Sequence, residues 1–270
     1  MLATGKSNSC LAWNVCRQNL ASARATIAEL YLTDLCFEEN AESECDAYVC
    51  LALKINETDG EPMVDALQTA SSFRLSQKRK AEATGFILRA YKKMSAGCEA
   101  LAQLVGLDDG KAKRSAELAE VDAASNLPSF EFRCQTVKLL LECAAPDAEE
   151  VNTDNMPAWK NAEQERIKCY KASVHVLGSL MAENDEVPEV WYLLGCTYMG
   201  SGNKELARHY FTNALEMLNN LQQEMEKVSE ESDMQDDEEI DMQTQSMACQ
   251  MEDIRSKLEE LEGDETAMKE

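Results

Sequence analysis

Histidine, proline and aromatic residues are scarce in this chain of 270 residues, and long apolar runs are missing. With only His175 and His209 present, a His/Cys metal site has few ligands to draw on. Five prolines and eleven glycines leave most of the chain free to form helix. No stretch of about 18 apolar residues occurs, and the first residues lack a signal-peptide core. We therefore expect a soluble intracellular protein.

Positive charge is also in short supply. The chain has 26 Lys and Arg against 50 Asp and Glu, a net charge of −24. Residues 221–270 hold 18 acidic and 4 basic residues, a net charge of −14. This balance repels phosphate backbones and anionic membranes and favours a basic partner. We expect no direct binding to nucleic acid or to a membrane.

The eleven cysteines do not form a recognisable framework, since the number is odd and no CxxC pair occurs. A thiol inside a helical pattern behaves as a small apolar residue. The sequence therefore predicts reduced, buried thiols of an intracellular protein. The six cysteines that fall within helical patterns are Cys36, Cys45, Cys50, Cys134, Cys169 and Cys196.

Motifs of the common catalytic classes are missing as well. The sequence has no phosphate-binding glycine loop, no GxSxG and no HExxH. His175 and His209 lie on predicted repeat helices, where a surface or packing role is the ordinary one. We predict that the chain is not an enzyme and needs no cofactor or metal.

Large and small residues alternate at fixed spacings between Pro188 and Leu215. The spacing is that of the tetratricopeptide repeat, a helical hairpin of about 34 residues. Its large residues fill the space between two antiparallel helices, and its small residues let the helices approach closely. One hairpin cannot bury its own apolar face, so neighbouring repeats are expected. The matching residues are Trp191, Leu194, Gly195, Tyr198, Gly202, Ala207, Phe211 and Ala214.

Three further hairpins fit the same spacing. The first begins near Ser22 and has a connection around residues 37–40 that is about five residues longer than usual. The second runs from Val64 to about Met94, and the third begins at the sequence LPSFEFRC. The second-helix positions of these hairpins are Cys45, Val49 and Ala52, then Ala83, Ile87 and Ala90, then Ser173, Leu177 and Leu180.

The predicted fold is therefore all-α, a tetratricopeptide-repeat superhelical solenoid with a C-terminal capping helix. About four hairpins occupy residues 22–228, with insertions near 95–126 and 145–160. Residues 1–21 are predicted as an N-terminal arm or cap, and 229–245 as an acidic flexible segment. The capping helix, 246–262, has apolar residues at spacings of 3 and 4, and 263–270 is a tail.

In a stacked array of such repeats, the first helix of each hairpin lines a concave groove. Of the twenty residues at groove positions here, five are acidic and one, Lys138, is basic. Such a groove favours a basic, extended segment through charge-assisted hydrogen bonds. The candidates for partner contact at these positions are Glu29, Asp65, Gln68, Glu131, Glu142, Glu189 and Tyr192.

Several segments of the sequence resemble those of one protein family. These are AELYLTDLCFEENAESEC, ALQTASSFRLSQKRKAEA, LPSFEFRCQTVKLLLE, EVWYLLGCTY and DIRSKLEEL, which cover about residues 22–262. They resemble the dedicated assembly chaperones of large-subunit ribosomal protein four, and Asp34, in the LTDLC phrase, becomes a further candidate contact. The insertion near 145–160 departs from the family pattern.

The resemblance implies a non-catalytic monomer that captures a basic, newly made ribosomal protein by its extended loop. It also implies passage from the cytoplasm to the nucleus, with import factors as further partners, and delivery to the pre-60S particle. The alternative is a tetratricopeptide scaffold subunit of a stable complex. That alternative predicts a large apolar groove and salt-resistant partners, whereas a chaperone of a basic client predicts salt-sensitive capture.

Overall fold

The computed structural model describes residues 4–55, 60–107, 127–146, 156–231 and 237–267. Helices make up the regular structure of these residues, and no strand occurs among them. The all-α prediction is confirmed. The helices in the described ranges are α1 (Thr4–Leu32), α2 (Ala41–Leu53), α3 (Val64–Ser76), α4 (Lys80–Leu104), α5 (Phe130–Ala144), α6 (Met156–Glu183), α7 (Pro188–Gly200), α8 (Lys204–Glu231) and α9 (Asp237–Ala267).

The chain divides into two compact units, which are described separately. The first comprises Met1–Ala96 and Glu142–Ala172. The second comprises Gly97–Leu141 and Ser173–Glu270.

In the first unit, α1, α2 and α3 pack around one apolar cluster. Its buried members come from all three helices, so no pair of helices encloses the cluster alone. The rings of Tyr31 and Tyr48 stack beside it with centroids 6.1 Å apart. Cys45 and Val49, at predicted second-helix positions of the first hairpin, lie in this interior. The fully buried residues of the cluster are Ala28, Cys45, Val49, Ala70 and Phe73.

Helix α1 runs from Thr4 to Leu32, so the predicted arm or cap over residues 1–21 and the helix predicted from Ser22 form one continuous helix from Thr4. The small buried residues Ala21, Ala25 and Ala28 recur every three or four positions and form one packed stripe, which ends at Ala21 among the described side chains. No proline interrupts the helix before Leu32. The assignment of residues 1–21 as an arm or cap stays a prediction.

In the second unit, a short connection sets α7 and α8 antiparallel. Pro188 occupies the first turn of α7, where its missing N–H costs nothing. Gly202 takes the left-handed conformation (φ +84°) after α7, and the Asn203 N–H donates to the Tyr198 carbonyl at 2.9 Å. The Asn203 side chain then accepts from the Leu206 N–H at 3.2 Å and caps α8. These residues fix where one helix stops and the next begins.

The interior of this hairpin follows the predicted alternation of large and small residues. A Cβ atom on Gly195 would lie 2.4 Å from the Phe211 ring, so the two helices meet as closely as a glycine permits. Leu194 and Ala207 are fully buried beside this contact, and the Trp191 ring lies 5.7 Å from that of Tyr210. The hairpin geometry agrees with the repeat pattern, while the superhelix of repeats stays a prediction.

Helix α9 packs on α8 through the stripe that the sequence predicted for a capping helix. Met251, Ile254 and Leu261 join Phe211 and Leu218 in one buried cluster. The helix is longer than predicted, however. Since α8 extends to Glu231 and α9 begins at Asp237, most of the predicted flexible segment 229–245 is helical, and 232–236 lie outside the described residues.

The two predicted insertions are only partly within the described residues. Helix α4 continues as far as Leu104, so the start of the first insertion, 95–126, is helical, and residues 108–126 lie outside the described residues. The second insertion, 145–160, ends with the first turn of α6 from Met156, and residues 147–155 lie outside. No helix in the described part of the chain is long and apolar enough to cross a membrane.

Candidate partner-binding surfaces

In the first unit, a hydrogen bond joins the candidate Glu29 of α1 to α3, the helix that carries the candidate Asp65. The Thr69 hydroxyl of α3 donates to Glu29 Oε1 of α1 at 2.7 Å, and Glu29 remains exposed. Asp65, one turn before Thr69 on α3, is half-buried. This pair of carboxylates on neighbouring helices provides acceptors for Lys or Arg side chains of a partner.

The remaining candidates of the first unit differ in accessibility. Gln68 is buried, with 6% of its surface exposed, so it offers a partner little surface. Asp34 is exposed in the connection after α1, where its Oδ2 accepts a hydrogen bond from the Thr33 hydroxyl at 3.0 Å. Glu142 is exposed near the end of α5. Partner contact by these residues stays a prediction, and Gln68 has the least exposed surface with which to contact a partner.

In the second unit, one candidate carboxylate is already paired within the chain. Glu189 Oε1 of α7 lies 2.6 Å from Lys138 Nζ of α5, and both side chains are about half exposed. Lys138 is the basic residue among the predicted groove positions, and this ion pair partly offsets its repulsion toward a basic partner. Glu131, in the first turn of α5, is exposed.

The last candidate, Tyr192, is engaged by the C-terminal helix. Its hydroxyl donates to Asp253 Oδ2 of α9 at 2.8 Å, and Lys257 Nζ donates to Asp253 Oδ1 at 2.7 Å. Burial raises the pKa of Asp253, but the hydrogen bonds from Lys257 and Tyr192 outweigh it and hold the pKa below its ordinary value. A partner that uses Tyr192 would share it with α9.

Asp253 and Lys257 were not among the residues that the sequence singled out. Their spacing of four on a helix indicates a local ion pair. Nothing in the sequence shows that Tyr192, 61 positions earlier, completes the arrangement.

A cleft of about 370 Å³ in the first unit gathers basic side chains that the sequence also did not single out. Arg166 Nε donates to the Ala144 carbonyl at 3.1 Å, and Lys80 Nζ donates to the Ala145 carbonyl. These cations satisfy the free carbonyls at the end of α5. The bonds give the basic residues of this cleft a structural role.

The described cysteines are free thiols, and burial sets the chemistry of most of them. Burial raises the pKa of Cys45 and Cys134 to about 11 and that of Cys169 to about 12. A thiol so protonated is a poor nucleophile and a poor metal ligand at neutral pH. Three of the six cysteines depart from the prediction of burial: Cys36 lies exposed in the connection after α1, and Cys50 and Cys196 are only partly buried. Within the described ranges, no three His, Cys, Asp or Glu residues are grouped to hold a metal ion.

No protein-family model matches the sequence. A curated protein of Schizosaccharomyces pombe (strain 972 / ATCC 24843), named "Probable assembly chaperone of rpl4", is 27% identical over 207 residues. The alignment covers 73% of this chain and 47% of the relative, so the chain spans about half of the relative's length. The chain is thus similar to an assembly chaperone of rpl4, which confirms the resemblance drawn from the sequence phrases.

Proposed function

We propose that this protein is a dedicated chaperone that binds newly made rpl4, ribosomal protein four of the large subunit, and has no catalytic role. The observation that carries the proposal is the similarity to an assembly chaperone of rpl4 over 73% of the chain. The net charge of −24 supports it independently, because ribosomal proteins bind RNA through basic surfaces.

The physical task of such a chaperone is to cover positive charge until RNA replaces it. An extended basic loop without RNA binds stray nucleic acid or aggregates. Exposed carboxylates such as Glu29, Glu131 and Glu142 would accept charge-assisted hydrogen bonds from its Lys and Arg side chains. Since most of these carboxylates stay solvated, binding would be reversible and sensitive to salt.

The same proposal extends to the cellular route. The protein would act as a monomer, bind its client in the cytoplasm, enter the nucleus with import factors and release the client at the pre-60S particle. Ribosomal RNA, with its denser negative charge, would displace the chaperone. Failure of ribosomal RNA fragments to displace rpl4 at any ionic strength would disprove this release step.

Binding of purified rpl4 to the full chain tests the proposal. We expect affinity to fall steeply between 0.1 and 0.5 M NaCl. The triple variant Glu29→Lys, Glu131→Lys, Glu142→Lys should weaken binding at low salt by at least tenfold. The matched control, Glu216→Lys, Glu252→Lys, Glu259→Lys, makes the same charge change at exposed positions of α8 and α9.

Equal losses in the two triple variants would indicate a general effect of net charge and would refute the assignment to the first helices of the hairpins. Absence of rpl4 binding would refute the chaperone function. Recovery of salt-resistant partners other than ribosomal proteins would support a scaffold subunit instead.

A further inference from the structure

The connection between α1 and α2, residues 33–40, is longer than a repeat needs, and backbone hydrogen bonds join its successive turns. The Leu35 N–H donates to the Leu30 carbonyl at 2.8 Å, and the Glu38 N–H donates to the Leu35 carbonyl at 3.1 Å. The Ala41 N–H then donates to the Glu38 carbonyl at 3.0 Å as α2 begins. Successive turns therefore fix the backbone that carries the intervening side chains.

Those turns direct an aromatic side chain into solvent. Phe37 is 96% exposed, whereas Phe73 and Phe211 are almost completely buried in the two units. Leu30 and Leu35 add further apolar surface, at 42% and 37% exposed. Because the turns already order its backbone, an aromatic residue here loses only its own rotamer freedom when a partner buries it, as an anchor side chain at an interface does.

The charge around Phe37 restricts what can cover it. Asp34, Glu38 and Glu39 flank it and are exposed. No Lys or Arg occurs between Thr33 and Leu53. A second copy of this chain would bring the same carboxylates to the contact and be repelled. A complementary surface would have an apolar pocket with a basic rim.

We propose that residues 33–40 dock the folded part of the basic client, with Phe37 in an apolar pocket and the flanking carboxylates on its basic rim. The inference rests on the proposed chaperone function and assigns to it a second contact. A pocket that can enclose a phenyl ring requires a folded surface, which an extended loop does not provide. The carboxylates of the repeat helices and Phe37 thus serve different parts of one client.

The test compares Phe37→Ser with Ile167→Ser, a control at another exposed apolar residue of the first unit, 55% exposed on α6. Binding of purified rpl4 to each full-length variant is measured by biosensor kinetics at 0.1 and 0.5 M NaCl. We expect Phe37→Ser to weaken binding by about 10- to 100-fold, mostly through faster dissociation. The ratio of the variant's Kd to that of wild type should be the same at both salt concentrations, because the lost contact is apolar. The control should match wild type.

A second arm uses a peptide of the client's extended loop in place of rpl4. We expect Phe37→Ser to bind this peptide as wild type does. Equal loss for peptide and whole client would overturn the assignment to the folded part. Wild-type affinity of Phe37→Ser for rpl4, while wild type itself binds, would overturn the docking element and leave the chaperone function standing. A concentration-dependent dimer that Phe37→Ser abolishes would assign the residue to self-association instead.

Discussion

Arg133 is a buried residue that joins two helices, α5 and α6, through its hydrogen bonds. Only 2% of it is exposed, and its guanidinium donates to the Pro128 carbonyl at 3.1 Å, to Ser179 Oγ at 2.8 Å and to Glu183. It thereby fixes the start of α5 to the last turns of α6. Its planar array of donors suits three acceptors in different directions, which a lysine ammonium on a flexible stem cannot reproduce.

We expect Arg133→Lys to lower the free energy of unfolding by about 1–3 kcal/mol, because buried acceptors lose their donors. Chemical denaturation followed by circular dichroism measures the change. Glu183→Gln is the control, and its effect should be much smaller because Glu183 is about half exposed. A larger loss for Glu183→Gln than for Arg133→Lys would contradict this account.

Substitution of glycine by alanine should change stability in opposite directions at two positions. Gly195→Ala places a Cβ 2.4 Å from the Phe211 ring, which is fully buried and has little room to move. We expect a loss of about 1–3 kcal/mol from overpacking. Gly85→Ala, on an exposed face of α4 with nothing within 4 Å, should stabilise the helix by up to about 1 kcal/mol. Melting temperatures of the two variants check both signs, and equal shifts would contradict the proposed contact.

Among the helices, α9 depends on pH through Asp253. The pKa of this carboxyl is lowered in the folded protein, so its charged form stabilises the fold. That stabilisation is complete above the ordinary aspartate pKa of about 4 and is lost as the pH falls through the lower folded-state value. We expect the melting temperature of wild type to exceed that of Asp253→Asn at pH 7. The difference should vanish once the pH falls below the folded-state pKa of Asp253. A difference that does not change between pH 7 and pH 2 would show that the carboxylate charge is irrelevant.

Helix pairing was predictable from the sequence because apolar and small residues repeat at a fixed spacing. Gly195 opposite Phe211 and the buried stripe of Met251, Ile254 and Leu261 on α9 are examples. The ends of helices were less predictable, since charge density alone suggested a flexible segment where α8 and α9 continue. Candidate contacts were located by repeat position, but position cannot show that Gln68 is buried or that Tyr192 bonds to α9. Those facts depend on residues distant in the chain.

For the whole molecule, the excess of negative charge should affect stability and binding in opposite directions. At a net charge of −24, like charges repel within the folded chain, and salt screens this repulsion. We expect the melting temperature to rise between 0.05 and 0.5 M NaCl, whereas affinity for rpl4 falls. Thermal unfolding and binding measured in the same buffers check both trends. A melting temperature that falls with NaCl would mean that attractive ion pairs outweigh the net repulsion.

The alkylation rates of the buried thiols measure how often each compact unit opens locally. Cys45 and Cys169 belong to the first unit and Cys134 to the second, and all three are shielded from solvent. An alkylating reagent can modify them only when the surrounding helices separate, so each modification rate reports how often its own unit opens. Peptide mapping by mass spectrometry resolves the three rates within one sample. A client that closes one unit and leaves the other unaffected would slow the modification of that unit's thiols alone.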